Sequence, residues 1–166
     1  MYHLSVYVHL LSAVVWVGGM LFLALVAIPV LRDLEDRHRA ELVARVGERF
    51  RPVAWTCIVL LVVTGVVNLA YRGVTWESVV TGRLWQSPFG QVLAWKLGFV
   101  LAAVLLSAVH DFYLGPQSTR LMRNGNPDVR KALALRRRAA WLGRLNAVFV
   151  LAILALAVML VRGIPR

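Results

Sequence analysis

The chain has 166 residues, of which 60% are hydrophobic, with a mean hydropathy of +0.70 and a formal net charge of +11. Soluble domains are usually about 45–50% apolar, and the excess here lies in four long blocks, which excludes an ordinary soluble domain. The basic residues lie in loops between those blocks and form no aromatic-lined basic groove, so no nucleic-acid partner is expected.

The first apolar block, residues 4–31, contains no Lys, Arg, Asp or Glu. About 20 apolar residues in a helix cross a bilayer core of about 30 Å, so this block predicts a transmembrane helix. It lacks the basic n-region and the A-x-A-like cleavage site of a signal peptide, and we therefore expect a retained span.

The first loop, residues 32–52, carries six Arg and five acidic residues. It is expected to extend the flanking helices, with ion pairs along its surface. Pro52 is expected to mark the start of the second span, residues 53–71, because proline suits the first helical position. The lone Cys57 lies within that span, where a thiol is typical of a small core residue.

The second loop, residues 72–90, has two basic residues and several aromatic residues, which are typical of a membrane interface. A short interfacial helix is expected over residues 76–83. The third span, residues 91–114, precedes a loop at 115–140 with seven Lys or Arg. That loop contains a turn signal at 124–127 and a basic helical lead-in to the fourth span, residues 141–161.

The loop charges predict the orientation of the chain. Lys and Arg accumulate in cytoplasmic loops, so loops 32–52 and 115–140 are expected in the cytoplasm, and loop 72–90 and both termini outside. Short loops make sequential helices neighbours. The sequence therefore predicts one domain over residues 1–166, an all-α antiparallel four-transmembrane-helix bundle with both termini out. A bacterial-type inner membrane is the expected location, with anionic lipid headgroups at the basic cytoplasmic loops.

Polar residues within the spans are the best candidates for a site, because such groups are costly in a bilayer. An outer layer is predicted from His9, Asn68, Tyr71 and Lys96, with His3 above it. The predicted inner layer comprises His110, Asp111, Arg144, Asn146 and Arg51. Lys96 and His110 are about 21 Å apart along one helix. Because metal–nitrogen bonds are about 2 Å long, His9 and His110 of one protomer cannot bind the same ion. A homo-oligomer in which histidines of two protomers bind one ion is an alternative that this distance does not exclude.

His9 is the best candidate ligand in the outer layer. Lys96 and Asn68 are the candidates for a second ligand or a proton relay, since a neutral amine can coordinate iron or act as a base. Trp16 and Trp95 are expected to wall the site.

The same residues also have structural interpretations that need no metal ion. Lys96 would extend to the headgroups, and His9 would hydrogen-bond across helices. His110 and Asp111 are either a second metal site or a structural pair in which Asp111 meets Arg144 or Arg51. The chain has no Met-x-x-Met or Cys-x-x-Cys string of soft copper ligands, and no hydrolase triad, P-loop or Rossmann fingerprint.

Several segments resemble CopD-type membrane proteins. They are the run from His9 to Met20, Lys96-Leu97, the run from His110 to Pro116, and Leu142 to Asn146 with Val161-Arg162-Gly163. The resemblance covers most of the chain and implies copper import or homeostasis at the inner membrane, with His9, Lys96 and His110 as candidate metal ligands.

A second resemblance is to the HemJ-type protoporphyrinogen oxidases, whose first-helix histidine and later lysine match His9 and Lys96. It implies haem b as the cofactor and a haem-dependent oxidoreductase or electron carrier. The leading hypothesis is a CopD-like protein with a site centred on His9 that takes copper or haem. A cofactor-free structural or assembly protein is the third class.

Overall fold

The computed structural model describes residues 1–117 and 129–162. Four helices in these ranges are long and apolar enough to cross a membrane: Tyr2–Asp33, Glu41–Tyr71, Pro88–Gln117 and Arg137–Val161. We refer to them as the first to fourth spans. The predicted fold class, an all-α membrane protein with four spans, is confirmed.

The first span is α-helical over Tyr2–Phe22 and then widens into a π-helical turn, Leu23–Ala27. It closes with the short helical segments Ile28–Val30 and Leu31–Asp33. Pro29 follows the wide turn directly, and a proline removes one backbone donor from the helix. A local π-helical turn is one way in which a helix absorbs such an interruption.

The second span belongs to a single helix, Asp36–Tyr71, that includes most of the first loop. Pro52 therefore lies inside a continuous helix rather than at its first position. The proline leaves the carbonyl of Glu48 without its usual helical donor, and Glu48 is exposed. Water or polar headgroups can satisfy a freed carbonyl near the membrane boundary, which is why the helix continues.

The connection between the second and third spans contains two short helices, Trp76–Val80 and Arg83–Gln86. The predicted interfacial helix over 76–83 is thus divided, because Gly82 adopts φ +80°, a conformation that favours glycine. Ser87 begins the third span by accepting a hydrogen bond from the Gly90 amide at 3.0 Å.

The third span is α-helical over Pro88–Ala108 and π-helical over Val109–Leu114. The fourth span belongs to the helix Val129–Arg162, so its basic lead-in is helical from Val129 onward. The predicted turn at 124–127 lies outside the described residues.

The spans pack mainly as two hairpins, the first span against the second and the third against the fourth. A common core joins the hairpins, and all four spans contribute to it: Trp16, Val17, Ala54, Cys57, Ile58, Ala103 and Val150. Several of its members are small, which lets membrane helices approach closely. Cys57 is buried there, as predicted.

Candidate intramembrane metal site

His9 is held by a hydrogen-bonded chain between the first and second spans. Its Nδ1 lies 2.8 Å from the Thr64 hydroxyl oxygen, and that hydroxyl lies 2.5 Å from the carbonyl oxygen of Leu60, one turn earlier. A carbonyl can only accept, so the Thr64 hydroxyl donates its proton to Leu60. The Thr64 oxygen must then accept from His9, which places the imidazole proton on Nδ1.

This arrangement leaves Nε2 of His9 with its lone pair in the neutral ring. The backbone of Leu61 also lies within hydrogen-bonding range of the ring. Second-shell partners of this kind fix the tautomer and the ring orientation of metal-binding histidines. With the proton on Nδ1, Nε2 is the ring nitrogen of His9 that carries a lone pair.

The surface of the second span beside His9 is shaped by Gly65. A Cβ atom built on Gly65 would lie 3.6 Å from Cε1 of His9, so the imidazole ring lies against this glycine. Ser5, one turn before His9, is positioned to donate to the Thr64 carbonyl at 3.5 Å. Two polar contacts thus join the first and second spans at one depth. The residues that position His9 are Thr64 and Gly65, neither of which was predicted from the sequence as a site residue.

Helix register supplies the signal that could have identified Thr64. Tyr2 and Tyr71 are ring partners, with centroids 5.4 Å apart. His9 is seven residues after Tyr2, and Thr64 is seven residues before Tyr71. In an antiparallel hairpin these offsets bring the two side chains to the same depth.

Lys96 of the third span is half-buried and within electrostatic range of His9 and Arg72. Arg72 donates to the Leu160 carbonyl at 3.0 Å and lies over the Phe89 ring, so it connects the second, third and fourth spans at this end. Lys96 is thus the basic side chain nearest to His9 in these interactions, and Arg72 lies beyond it.

Asn68 lies one turn from Thr64 on the same helix, and its Oδ1 is buried without a hydrogen-bond partner among the described residues. We call His9, Thr64, Asn68 and Lys96 the His9 cluster. It combines an imidazole, an amide and an amine, all of which can offer a nitrogen or oxygen atom to a metal ion.

The two tryptophans expected to wall the site differ in position. Trp16 is buried in the common core, two turns below His9 on the first span. Trp95 is 69% exposed and contacts Phe99 along its own helix, so its ring lies on the outside of the bundle. Trp16 thus remains a candidate wall of the site, whereas Trp95 faces away from it.

The inner polar residues form a separate group around Asp111. The Trp55 indole N–H donates to Asp111 Oδ2 at 3.0 Å, and His110 Nδ1 lies 3.1 Å from Asp111 Oδ1. The expected pairing of Asp111 with Arg144 or Arg51 is wrong for the described residues. Arg51 lies over the Phe112 ring instead, and Arg144 lies over the ring of Trp141.

His110 and Asp111 belong to the π-helical segment Val109–Leu114. Such segments are frequent at functional sites. Trp55, which donates to Asp111, lies nine residues before Thr64 on the second span, or about 13 Å along the helix. The two span histidines therefore belong to two clusters at different depths.

A third polar contact joins three spans near this level. The Asn146 amide nitrogen lies 3.1 Å from the Ser107 hydroxyl and 3.5 Å from the Met20 sulfur. Asn146 is buried, and its Oδ1 has no partner among the described residues. Across residues 1–117 and 129–162, no three His, Cys, Asp or Glu side chains come together as a group that could hold a metal ion.

Comparisons with known proteins identify relatives over most of the chain. Residues 44–160 match the family described as Copper resistance protein D. The chain is also 32% identical, over 159 residues, to an uncharacterized protein of Aquifex aeolicus (strain VF5), an alignment that covers 95% of this chain and 94% of that protein. No solved structure matches.

Proposed function

The chain belongs to the Copper resistance protein D family, and we propose that it handles copper as a substrate in the bacterial inner membrane, with His9 as the central ligand. The loop charges favour an orientation with the His9 cluster in the outer half of the bundle, so the proposed site would lie there. Import or homeostasis of copper is the role that this placement favours.

The observation that carries the proposal is the hydrogen-bonded chain from His9 through Thr64 to the Leu60 carbonyl. It fixes the imidazole proton on Nδ1 and so presents Nε2 as a donor atom. Neutral imidazole is a good copper ligand. The plainer role of His9, a hydrogen bond that joins two helices, predicts the same contact with Thr64, so copper binding is the measurement that separates the two roles.

The remaining donors are sparse, which suits an ion in transit. We propose that Asn68 Oδ1 or the neutral amine of Lys96 supplies a second donor atom, or that Lys96 relays a proton. Conduction requires binding that is favourable enough for entry and weak enough for release. Closed four-ligand sites are instead typical of structural metals, and the His9 cluster does not resemble one.

Copper binding to the purified protein tests this role. Wild-type protein in detergent is titrated with Cu(II), and with Cu(I) under ascorbate, and bound copper is measured by elemental analysis after desalting. We expect close to one copper per chain for the wild type and almost complete loss for His9→Ala. Equal binding by the two proteins would contradict the proposal.

His3 provides the matched control, because it is an exposed histidine of the same helix. His3→Ala is expected to keep the wild-type stoichiometry. Lys96→Gln separates the two roles of the lysine. If the amine is a ligand, copper affinity falls, and if its charge only opposes the cation, copper affinity rises.

Haem b is the second candidate, and one observation favours it. Lys96 lies within electrostatic range of both His9 and Arg72, and Arg72 lines an open depression of about 790 Å³ beside the second loop, whose lining includes neither His9 nor Lys96. Arginine binds carboxylates well, so Arg72 would pair with a haem propionate, and His9 and Lys96 would be the residues that hold the haem. The haem would supply one-electron chemistry.

A visible absorption spectrum distinguishes these candidates. A Soret band that disappears in His9→Ala would support haem, whereas bound copper without a Soret band supports the leading proposal. If protein purified from a metal- and haem-replete host contains neither copper nor haem, the cofactor-free structural class is favoured.

A further inference from the structure

A groove opens between the third and fourth spans, at the end opposite the His9 cluster. Its volume is about 480 Å³. Apolar and aromatic side chains line it, among them Tyr113 and Leu114 of the π-helical segment and Trp141 and Leu142 of the fourth span. Arg137 and Arg138 lie at its margin.

The two arginines are exposed and have no acidic partner within the described residues. Two other exposed arginines do have acidic partners, since Arg45 pairs with Glu41 at 2.6 Å and Arg83 pairs with Glu77. Arg144, over the Trp141 ring, adds a third positive charge nearby. The exposed lining of the groove is apolar, so the two arginines contribute their methylene stems to it and their charges lie at its edge.

The position of these residues matches the boundary of a bilayer. Arg137 is the first residue of the fourth span, so we expect its guanidinium where the hydrocarbon core meets the headgroups. Tyr and Trp are enriched at the same level in membrane proteins, and Tyr113 and Trp141 are the aromatic residues of this groove. A soluble anion would need only the arginines, whereas the apolar walls suit an acyl chain.

We propose that this groove is a binding site for one anionic phospholipid. The headgroup phosphate would pair with Arg137 and Arg138, and an acyl chain would lie against Leu114 and Leu142. Basic pockets between membrane helices on the cytoplasmic side are suited to such headgroups. Because its walls come from both helices, the bound lipid would stabilise the pairing of the third and fourth spans.

Retention of phosphatidylglycerol by the purified protein tests the site. Wild-type protein is reconstituted with defined lipids, and bound lipid is counted by native mass spectrometry in a phosphatidylglycerol titration, with phosphatidylcholine as the neutral lipid. Each basic residue near a membrane surface contributes about 1 kcal/mol. We therefore expect Arg137→Gln/Arg138→Gln to weaken phosphatidylglycerol binding about 30-fold, at about tenfold per 1.4 kcal/mol.

Two further variants keep the test decisive. Arg45→Gln removes an exposed arginine that is already paired with Glu41 and is expected to bind phosphatidylglycerol like the wild type. Leu142→Trp fills the groove without altering charge and is expected to weaken binding even if the double arginine variant does not fold.

Other outcomes would overturn the proposal. These are equal retention of phosphatidylglycerol and phosphatidylcholine by the wild type, unchanged binding in both groove variants, or displacement of the bound lipid by inorganic phosphate alone, which would show that the arginines take a free anion.

Discussion

Thr64 determines which nitrogen of His9 is available, although neither its residue type nor its neighbours mark it as a site residue. Its hydroxyl accepts from Nδ1 and donates to the Leu60 carbonyl. A valine of nearly the same shape would keep the packing but not the acceptor. The copper-binding role proposed for His9 therefore depends on a residue that need not contact the metal.

Replacing Thr64 by Val tests this dependence. We expect copper affinity to fall about 10–100-fold, the usual cost of losing a second-shell partner, and stability to fall by about 1 kcal/mol. Competition titration with a copper chelator measures the affinity. Thr56→Val is the control, because Thr56 is an exposed threonine of the same helix. Equal affinities for Thr64→Val and the wild type would exclude the tautomer argument.

The Trp55–Asp111 contact predicts a second effect at the residue scale. Trp55→Phe keeps the ring beside Phe112 but removes the N–H that Asp111 Oδ2 accepts. An acceptor left without its donor costs about 1–2 kcal/mol, which thermal unfolding in detergent will detect. Trp95→Phe changes a tryptophan that is 69% exposed and is expected to stay within about 0.5 kcal/mol of the wild type. If the two variants lose the same stability, the contact contributes nothing.

The start of the third span is the element whose geometry is most tightly restricted. A Cβ atom on Gly90 would overlap the Leu84 carbonyl, whereas one on Gly98 of the same helix would meet nothing within 4 Å. Gly90 is buried directly after the Ser87 cap. The chain can turn into the membrane here only because position 90 has no side chain.

Alanine at these two glycines should have opposite effects. Gly90→Ala is expected to destabilise the protein by about 1–3 kcal/mol, because the backbone must shift to make room. Gly98→Ala is expected to be neutral or to stabilise the helix by up to about 1 kcal/mol, since alanine is the better helix former. Thermal unfolding of both variants in the same detergent measures the difference, and equal midpoints would contradict the close approach at Gly90.

Hydrophobic block length predicted the four spans, since long uncharged runs have few alternatives to crossing a bilayer. It did not predict that the helix Asp36–Tyr71 continues through Pro52, because a proline signal has the same form at a helix start and inside a membrane helix. Nor did it predict the π-helical segment that carries His110 and Asp111.

The candidate site was predicted in part. His9, Asn68 and Lys96 stand out because polar residues are rare in spans. Thr64 and Gly65 do not, since small residues occur throughout membrane helices. The partner of Asp111 was mispredicted, because charge pairing was considered and an indole donor was not.

For the whole molecule, the loop charges predict a direction of insertion. Loop 32–52 and the basic lead-in of the fourth span should face the cytoplasm, and the short helices around Trp76 should face outward. The proposal for His9 depends on this direction, because it puts the His9 cluster in the half of the bundle that faces an external ion.

Cysteine labelling in intact cells checks the direction. Cys57 is buried and should react little, so new cysteines can be compared against it. Glu77→Cys is expected to react with a membrane-impermeant maleimide from outside, and His38→Cys only after the cells are permeabilised. The original side chains, Glu77 and His38, are both exposed. A difference in labelling between the two cysteines therefore reports the side of the membrane and not burial in the protein. The reverse pattern would place the His9 cluster in the inner half.

Copper flux into proteoliposomes tests the central claim most directly. Vesicles that contain an encapsulated copper indicator are prepared without protein, with the wild type, with His9→Ala and with His3→Ala. We expect rapid indicator response for the wild type and for His3→Ala, and a rate close to that of empty vesicles for His9→Ala. A wild-type rate equal to that of empty vesicles, or equal rates for the wild type and His9→Ala, would contradict copper handling through His9.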